Sequence, residues 1–282
     1  MTSPVFGDWA GGLVSQSNWA TAARVAGGFS KSLKLITSSR TIAGSKVSAY
    51  WGVTRLVASR DDIMIEITPQ VLLKAYSCGI FPMAESASDP ALYWIEPQHR
   101  GILPLERVHV PRRLKRTIKS TPFEVRADGD FDSVIDGCAA SRPGRRSTWI
   151  NSRIRQLYRD LFDLGHCHTV EVWDGSRLVG GLYGVALGGA FFGESMFSLE
   201  RDVSKIALVH LAGRLIAGGF VLLDTQFVTD HLRQFGTIEV GRGEFQVRLE
   251  EALKVPGDFY RLPAEATPED ILAQIDKIDP DA

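Results

Sequence analysis

The stretch from His168 to Ser198 restricts the possible folds more than any other part of the chain. Three runs rich in β-branched, aromatic and other apolar residues, His168 to Trp173, Leu178 to Leu187 and Phe191 to Ser198, are separated by Asp174-Gly175 and Gly188-Gly189. Glycine in such pairs supplies the positive φ that tight hairpin turns require, so the runs predict an antiparallel meander. Ser204 can then cap a helix to about Ala217, Gly218-Gly219 end it, Val221 to Phe227 reads as an apolar strand, and Thr229 can cap the next helix. Meander, helix, strand, helix is the order of an α+β sheet domain, placed here at residues 145 to 260. The apolar run Ala207 to Leu223 is interrupted by His210 and Arg214, which suits an amphipathic helix and its following strand better than a bilayer span.

Upstream, Thr68-Pro69 is a cap followed by proline at a first helical position, and Val71, Leu72 and Ala75 recur at helical spacing until Gly79. Residues 68 to 79 are therefore expected to be a short helix. From Pro111 to Ser120, Arg112, Lys115, Arg116 and Lys119 fall on one helical face and Leu114 and Ile118 on another, a basic amphipathic helix. Phe131 to Cys138 and Ser152 to Leu164 read as two further helices, the second closed by Gly165. Residues 64 to 140 form a smaller lobe, and the tail from 261 to 282 contains a short helical pattern opened by Thr267-Pro268-Glu269. Residues 1 to 60 hold seven basic residues against the single acid Asp8 and lack sustained periodicity. Residues 1 to 63 are expected to be an extension without regular structure, or to follow from a misassigned start, with Met64 as an alternative.

Partners are bounded by charge. With 32 basic and 33 acidic residues the net charge is -1, so any nucleic-acid site must be a local patch. Cys78, Cys138 and Cys167 are odd in number and form no C-x-x-C pair, which points to free thiols in a reducing compartment. His166 and His168 alternate sides of the chain, arguing against a two-histidine metal grip and for packing or hydrogen bonding.

Along this order stand Tyr76-Ser77-Cys78-Gly79-Ile80-Phe81-Pro82, Leu92-Tyr93-Trp94-Ile95-Glu96-Pro97 and Thr148-Trp149-Ile150. They are followed by Gly165-His166-Cys167-His168, Glu171-Val172-Trp173, Leu178-Val179-Gly180-Gly181-Leu182-Tyr183-Gly184, Gly193-Glu194-Ser195-Met196-Phe197-Ser198, Asp224-Thr225-Gln226 and Asp230-His231. Together, over about residues 64 to 253, they resemble the leucyl/phenylalanyl-tRNA-protein transferase family. Met83 stands where the family commonly has Trp, Thr225 where some members have Cys, and Thr229 where Asn is usual. The resemblance implies a cytoplasmic enzyme that transfers leucine or phenylalanine, methionine less well, from aminoacyl-tRNA to the N-terminal Arg or Lys of a protein, marking it for degradation under the N-end rule. It also implies a small N-terminal α/β lobe and a C-terminal domain resembling the GCN5-related acetyltransferase fold; because transfer from an ester to an amine is downhill, no cofactor and no metal are expected, and no membrane partner is.

By the same resemblance Asp224 and Gln226 sit at the centre of the reaction. They are one side-chain alternation apart, on one face of the strand. An amide oxygen barely binds protons, so Gln226 is assigned to orient the attacking amine through its carbonyl oxygen, and Asp224 to fix that amide and favour a nearby ammonium. A strand-end turn cap is the plainer alternative for Asp224. Glu194 follows Phe191-Phe192 and is costly to bury unpaired; with Ser195 it is expected at an acidic acceptor subsite for Arg or Lys, or else in a structural ion pair. Leu182, Phe191, Leu211, Leu215 and Leu223 line the family's donor side-chain pocket, though residues of this type are ordinarily core. Trp94 and Trp149 either stack on the terminal adenosine or pack in the core. Arg112, Arg113, Lys115, Arg116 and Lys119 are expected to grip tRNA phosphates unless the helix is only a solvated face, with Arg142, Arg145 and Arg146 weaker candidates.

Two other classes compete. A small-molecule acetyltransferase would need a Gln/Arg-x-x-Gly-x-Gly/Ala loop opening a helix onto a pyrophosphate. Arg177-Leu178-Val179-Gly180-Gly181-Leu182 fits only partly and sits in a hairpin, and Arg214 has Ala217 where Gly is wanted. A non-catalytic RNA-binding module would bind charged tRNA without transfer.

Overall fold

A computed structural model of the chain describes residues 51–55, 67–141 and 147–278. Residues 1–50, Met64 and the loop arginines Arg142, Arg145 and Arg146 lie outside the described residues. Within the stretch expected to lack regular structure, β1 (Trp51–Arg55) pairs antiparallel with β3 (Tyr93–Pro97), which also pairs with β2 (Phe81–Met83). Between them runs α1 (Pro69–Ser77), capped as expected by the Thr68 side chain, with Gly79 leaving at φ +75°.

The second sheet is mixed and has seven strands. The meander is β6 (Cys167–Asp174), β7 (Arg177–Leu187) and β8 (Ala190–Ser198), antiparallel throughout, with Gly175 and Gly188 at positive φ in its two turns. Helix α5 (Val203–Ala217) then crosses back and β9 (Leu222–Gln226) joins β8 in parallel. From the segment read as the smaller lobe come β4 (His99–Leu103) and β5 (Glu124–Ala127); with β10 (Ile238–Gly241) they complete the order β10-β4-β9-β8-β7-β6-β5. The expected α+β class is what the elements form. The partial pyrophosphate-loop match at Arg177 to Leu182 lies inside β7, where no helix follows it.

Side-chain alternation divides the core in two. Ile102, Phe192 and Leu222 join the cluster under α1, α3 (Phe131–Ala139), α4 (Ser152–Asp163) and α7 (Arg242–Ala252). Their chain neighbours Leu103, Phe191 and Leu223 join the cluster under α2 (Arg112–Ser120), α5 and α8 (Pro268–Asp276). Two expectations for α5 change. Its cap position is Asp202, in the left-handed conformation at φ +62° and bonded to Lys205 Nζ, while Ser204 is inside the helix and buried. It is also buried nearly all round rather than amphipathic, because the C-terminal segment covers its outer side. Arg214 is buried in that seam and donates to the carbonyl oxygens of Phe259, Leu262, Pro263 and Ala264. The tail is therefore part of the core, with Ile271, Leu272 and Ile275 of α8 buried and Thr267 closing a capping box with Asp270. Among the described residues no helix is long and apolar enough to cross a membrane.

Candidate active site

The site forms where β8 and β9 stop pairing. Their parallel ladder runs only from Ala190↔Leu222 to Phe192↔Asp224, yet β8 continues along β7 to Ser198 and β9 along β4 to Gln226. Both strands carry a bulge at this point. Tyr183↔Ser195 and Gly184↔Gly193 leave Glu194 as the extra residue of β8, and Gly101↔Gln226 and Ile102↔Asp224 leave Thr225 as that of β9. A bulge re-aims side chains that strict alternation would place otherwise. Gly101 allows the close approach, since a Cβ there would lie 2.5 Å from the backbone carbon of Phe227.

Asp224 is fully buried and paired with Arg100, itself only 2% exposed. Arg100 Nε donates to Oδ1 at 2.9 Å, Nη2 to Oδ2 at 2.6 Å, and Nη1 to the Gly79 carbonyl at 2.9 Å. Phe81 and Phe245 flank the guanidinium, their ring centroids 4.7 and 4.5 Å from Cζ. The expected contact between Asp224 and the side-chain amide of Gln226 is absent. Oδ1 instead accepts the Gln226 backbone N–H at 2.9 Å, while the amide Nε2 points to Glu194 Oε1 at 3.4 Å. Gln226 has φ +55°, and the Phe227 N–H closes a three-residue turn onto the Thr225 carbonyl at 2.6 Å. That backbone region is costly for a non-glycine residue and is kept where the surroundings over-determine it.

Glu194 is buried, and the ion pair considered for it does not form among the described residues. Its Oε1 accepts from Tyr76 Oη at 2.7 Å and its Oε2 from Tyr158 Oη at 2.8 Å, and the two phenol oxygens are 2.5 Å apart. Burial pushes the carboxyl up to about 7, against the opposing pull of the two phenol hydrogen bonds. Both phenols are raised above their ordinary value, first by burial and then by the charge of Glu194, so they remain donors.

Leu182, Phe191, Leu211, Leu215 and Leu223 are brought together, all buried in the cluster on the α5 face of the sheet. Asp224, Gln226 and Glu194 project to the opposite face, so the end of the β8–β9 ladder separates the two groups. Ser195 and Trp94 are buried, and Trp149 is half-buried against the α4 cluster. On α2, Arg112, Arg113, Arg116 and Lys119 are exposed, whereas Lys115 is half-buried and bonded to Asp276 of α8 at 2.8 Å. His168 Nδ1 meets Asp128 Oδ2 at 2.7 Å and its ring stacks on Phe259, the hydrogen-bonded packing expected of it. No three His, Cys, Asp or Glu side chains gather into a metal-binding group among the described residues. Arg100, Tyr76 and Tyr158 are the site residues the sequence did not single out by role. Tyrosines on the apolar faces of α1 and α4 were the available signals, and nothing local marked Arg100, which stands between His99 and Gly101.

Residues 65–98 match the family model of the leucyl/phenylalanyl-tRNA protein transferase N-terminal domain, and residues 102–250 match that of leucyl/phenylalanyl-tRNA protein transferase itself. This chain belongs to the leucyl/phenylalanyl-tRNA protein transferase family. A relative of that name from Afipia carboxidovorans (strain ATCC 49405 / DSM 1227 / KCTC 32145 / OM5) is 61% identical over 209 residues, covering 74% of this chain and 92% of its own. Another leucyl/phenylalanyl-tRNA protein transferase, from Caulobacter vibrioides (strain NA1000 / CB15N), is 58% identical over 204 residues, covering 72% and 94%. A solved structure of a conserved protein from Staphylococcus epidermidis ATCC 12228 overlaps 68% of this chain and 69% of its own at TM-score 0.34 and 12% identity, too distant to carry an argument. The first family model ends between β3 and β4 and the second begins inside β4, so Arg100 falls in the short gap between them.

Proposed function

We propose that this transferase moves leucine or phenylalanine from aminoacyl-tRNA to the α-amino group of a protein that begins with Arg or Lys. The observation that carries the activity is the match to both family models, with Asp224, Gln226 and Glu194 assembled at one strand end. Transfer from an ester to an amine is downhill, so the protein's task is to hold two substrates and stabilise developing charge. An α-amino group with an ordinary pKa of about 7.7 to 8.0 is partly neutral near pH 7. Gln226 receives one of its hydrogens on Oε1. Asp224 acts through the backbone, holding Gln226 in its unusual turn. Glu194 supplies negative charge at the acceptor end, which favours Arg or Lys there.

The donor side chain enters among Leu182, Phe191, Leu211, Leu215 and Leu223, reached through the gap beyond the β8–β9 ladder. A hydrophobic pocket separates ligands differing by one methylene by only about 1 to 3 kcal/mol, so Leu and Phe are both accepted and Met less well. Trp149 keeps part of its surface open for stacking on the terminal adenosine, and Trp94, although buried, belongs to the core cluster that Trp149 packs against. The exposed cations of α2 bind phosphates of the acceptor arm. Cys138 and Cys167 are buried and form no disulfide among the described residues, which fits the reducing cytoplasm. The test is transfer of radiolabelled leucine from charged tRNA to peptides beginning with Arg, Lys or Ala. Label must appear on the first two and not on the third, and tRNA binding without any transfer would leave only a binding module.

A further inference from the structure

We infer that Glu194 takes the proton from the attacking α-amino group, and that Tyr76 and Tyr158 hold its carboxylate in place to do so. This rests on the acyl-transfer reading above and names the group that handles the proton. Two carboxylates face the end of the β8–β9 ladder. Asp224 is fully buried and already bound on both oxygens by Arg100 and on Oδ1 by the Gln226 N–H. Glu194 differs. An ionised carboxylate offers about four lone-pair positions, and here Tyr76 and Gln226 occupy Oε1 and Tyr158 occupies Oε2. One position remains on Oε2 among the described residues, which suits a single N–H and not a two-pronged guanidinium.

The groups facing Glu194 are Tyr76 from α1, Tyr158 from α4, Asp224 from β9 and Arg100 from β4, with Tyr183 of β7 and Cys167 of β6 next to them. Burial and Asp224 push its carboxyl upward and the phenols and Arg100 pull it down, leaving it at about 7, where a base still has an ionised fraction near neutral pH and is basic enough to accept a proton. In the step, the amine nitrogen bonds to the ester carbonyl carbon and one N–H proton passes to Glu194. The bond from that carbon to the ribose oxygen then breaks, and the leaving oxygen receives the proton back. Glu194 is regenerated and no other reactant is consumed.

The experiment is kcat at saturating charged tRNA and saturating Arg-peptide, followed across about pH 5.5 to 9, for the wild type, Glu194→Gln and the double variant Tyr76→Phe/Tyr158→Phe. Wild-type kcat is expected to fall on the acid side as Glu194 protonates. Removing both hydroxyls takes away bonds that favour the ionised carboxylate, so this limb moves to higher pH in the double variant. The peptide amine is the same in both enzymes and cannot cause that shift. Glu194→Gln is expected to lose about 10²- to 10⁴-fold in kcat while keeping tRNA affinity. An acid limb at the wild-type position in the tyrosine variant overturns the proposal, as does near wild-type kcat in Glu194→Gln. If Glu194→Gln does not fold, the tyrosine variant still decides. A wild-type enzyme that transfers to no acceptor overturns instead the assignment of activity.

Discussion

Arg100 and Asp224 bind each other out of contact with water, and the consequences of removing either follow from that burial. A fully buried ion pair contributes little over an apolar replacement, but taking away one partner strands the other charge, at a cost of about 3 to 5 kcal/mol. Arg100→Leu is therefore expected to lower the urea midpoint sharply, with Arg100→Leu/Asp224→Leu recovering part of the loss. Glu194 carries a pH signature of the opposite kind to most carboxylates. Its pKa rises on folding from the ordinary value of 4.5 to about 7, so the folded state holds the proton more tightly. The group's penalty on stability is absent below pH 4.5, grows as pH rises and levels off above about 7. It is on the order of 3 kcal/mol at most. Thermal melts should show Glu194→Gln gaining on the wild type between pH 5 and pH 8. Gly101→Ala places a methyl against the Phe227 backbone and is expected to cost about 1 to 3 kcal/mol, with loss of transfer because the bulge at Thr225 must shift.

Helix α2 shows how one element can serve two neighbours. Leu114 and Ile118 anchor it in the core, Lys115 leans back to Asp276, and Arg112, Arg113, Arg116 and Lys119 face solvent. Each duplex phosphate contact contributes about -0.9 to the slope of log affinity against log salt. Neutralising the four exposed cations should raise KM for charged tRNA and flatten the slope while leaving kcat at saturating tRNA nearly intact. Lys115→Ala should change the slope less than Arg116→Ala, since its amine is already engaged. Equal slopes for wild type and the fourfold variant would make α2 a solvated face. What sets Lys115 apart from the other four cations is a helix more than 150 positions later in the chain, with which no local pattern connects it.

At the scale of the whole molecule, the C-terminal segment closes the second core. Phe259, Ala266, Ile271, Leu272 and Ile275 are buried against α5, and Arg214 has its positive charge solvated by four tail carbonyls. Each large apolar side chain buried contributes about 1.5 to 3 kcal/mol, against a total stability of about 5 to 15 kcal/mol for a typical domain. Ending the chain after Lys254 is expected to leave a protein that does not fold cooperatively, measured by urea unfolding, even though the family model ends at residue 250. Depressed to about 3 by burial and by Arg214, His210 belongs to the same seam. Its neutral form is the one that folds, so it contributes stability above its ordinary pKa of 6.5 that is lost as pH falls from there toward 3. His210→Leu should make the melting temperature less sensitive to acid over that range.

Sequence alone determined what depends on near neighbours. Glycines in Asp174-Gly175 and Gly188-Gly189 made the meander legible, and Thr68, Thr229 and Thr267 marked helix starts. Ordered motifs made the family legible as well. What only the tertiary structure decided were the partners. Arg100 reaches Asp224 across 124 positions, and Glu194 takes its phenols from 118 and 36 positions away. Two bulges set the angle at which Glu194 and Gln226 meet. Periodicity reports which side a residue faces, because that follows from backbone geometry one residue at a time. Which residue waits on that side depends on the order in which strands pair, and that is settled only when distant segments compete to bury their apolar faces and satisfy each other's charges.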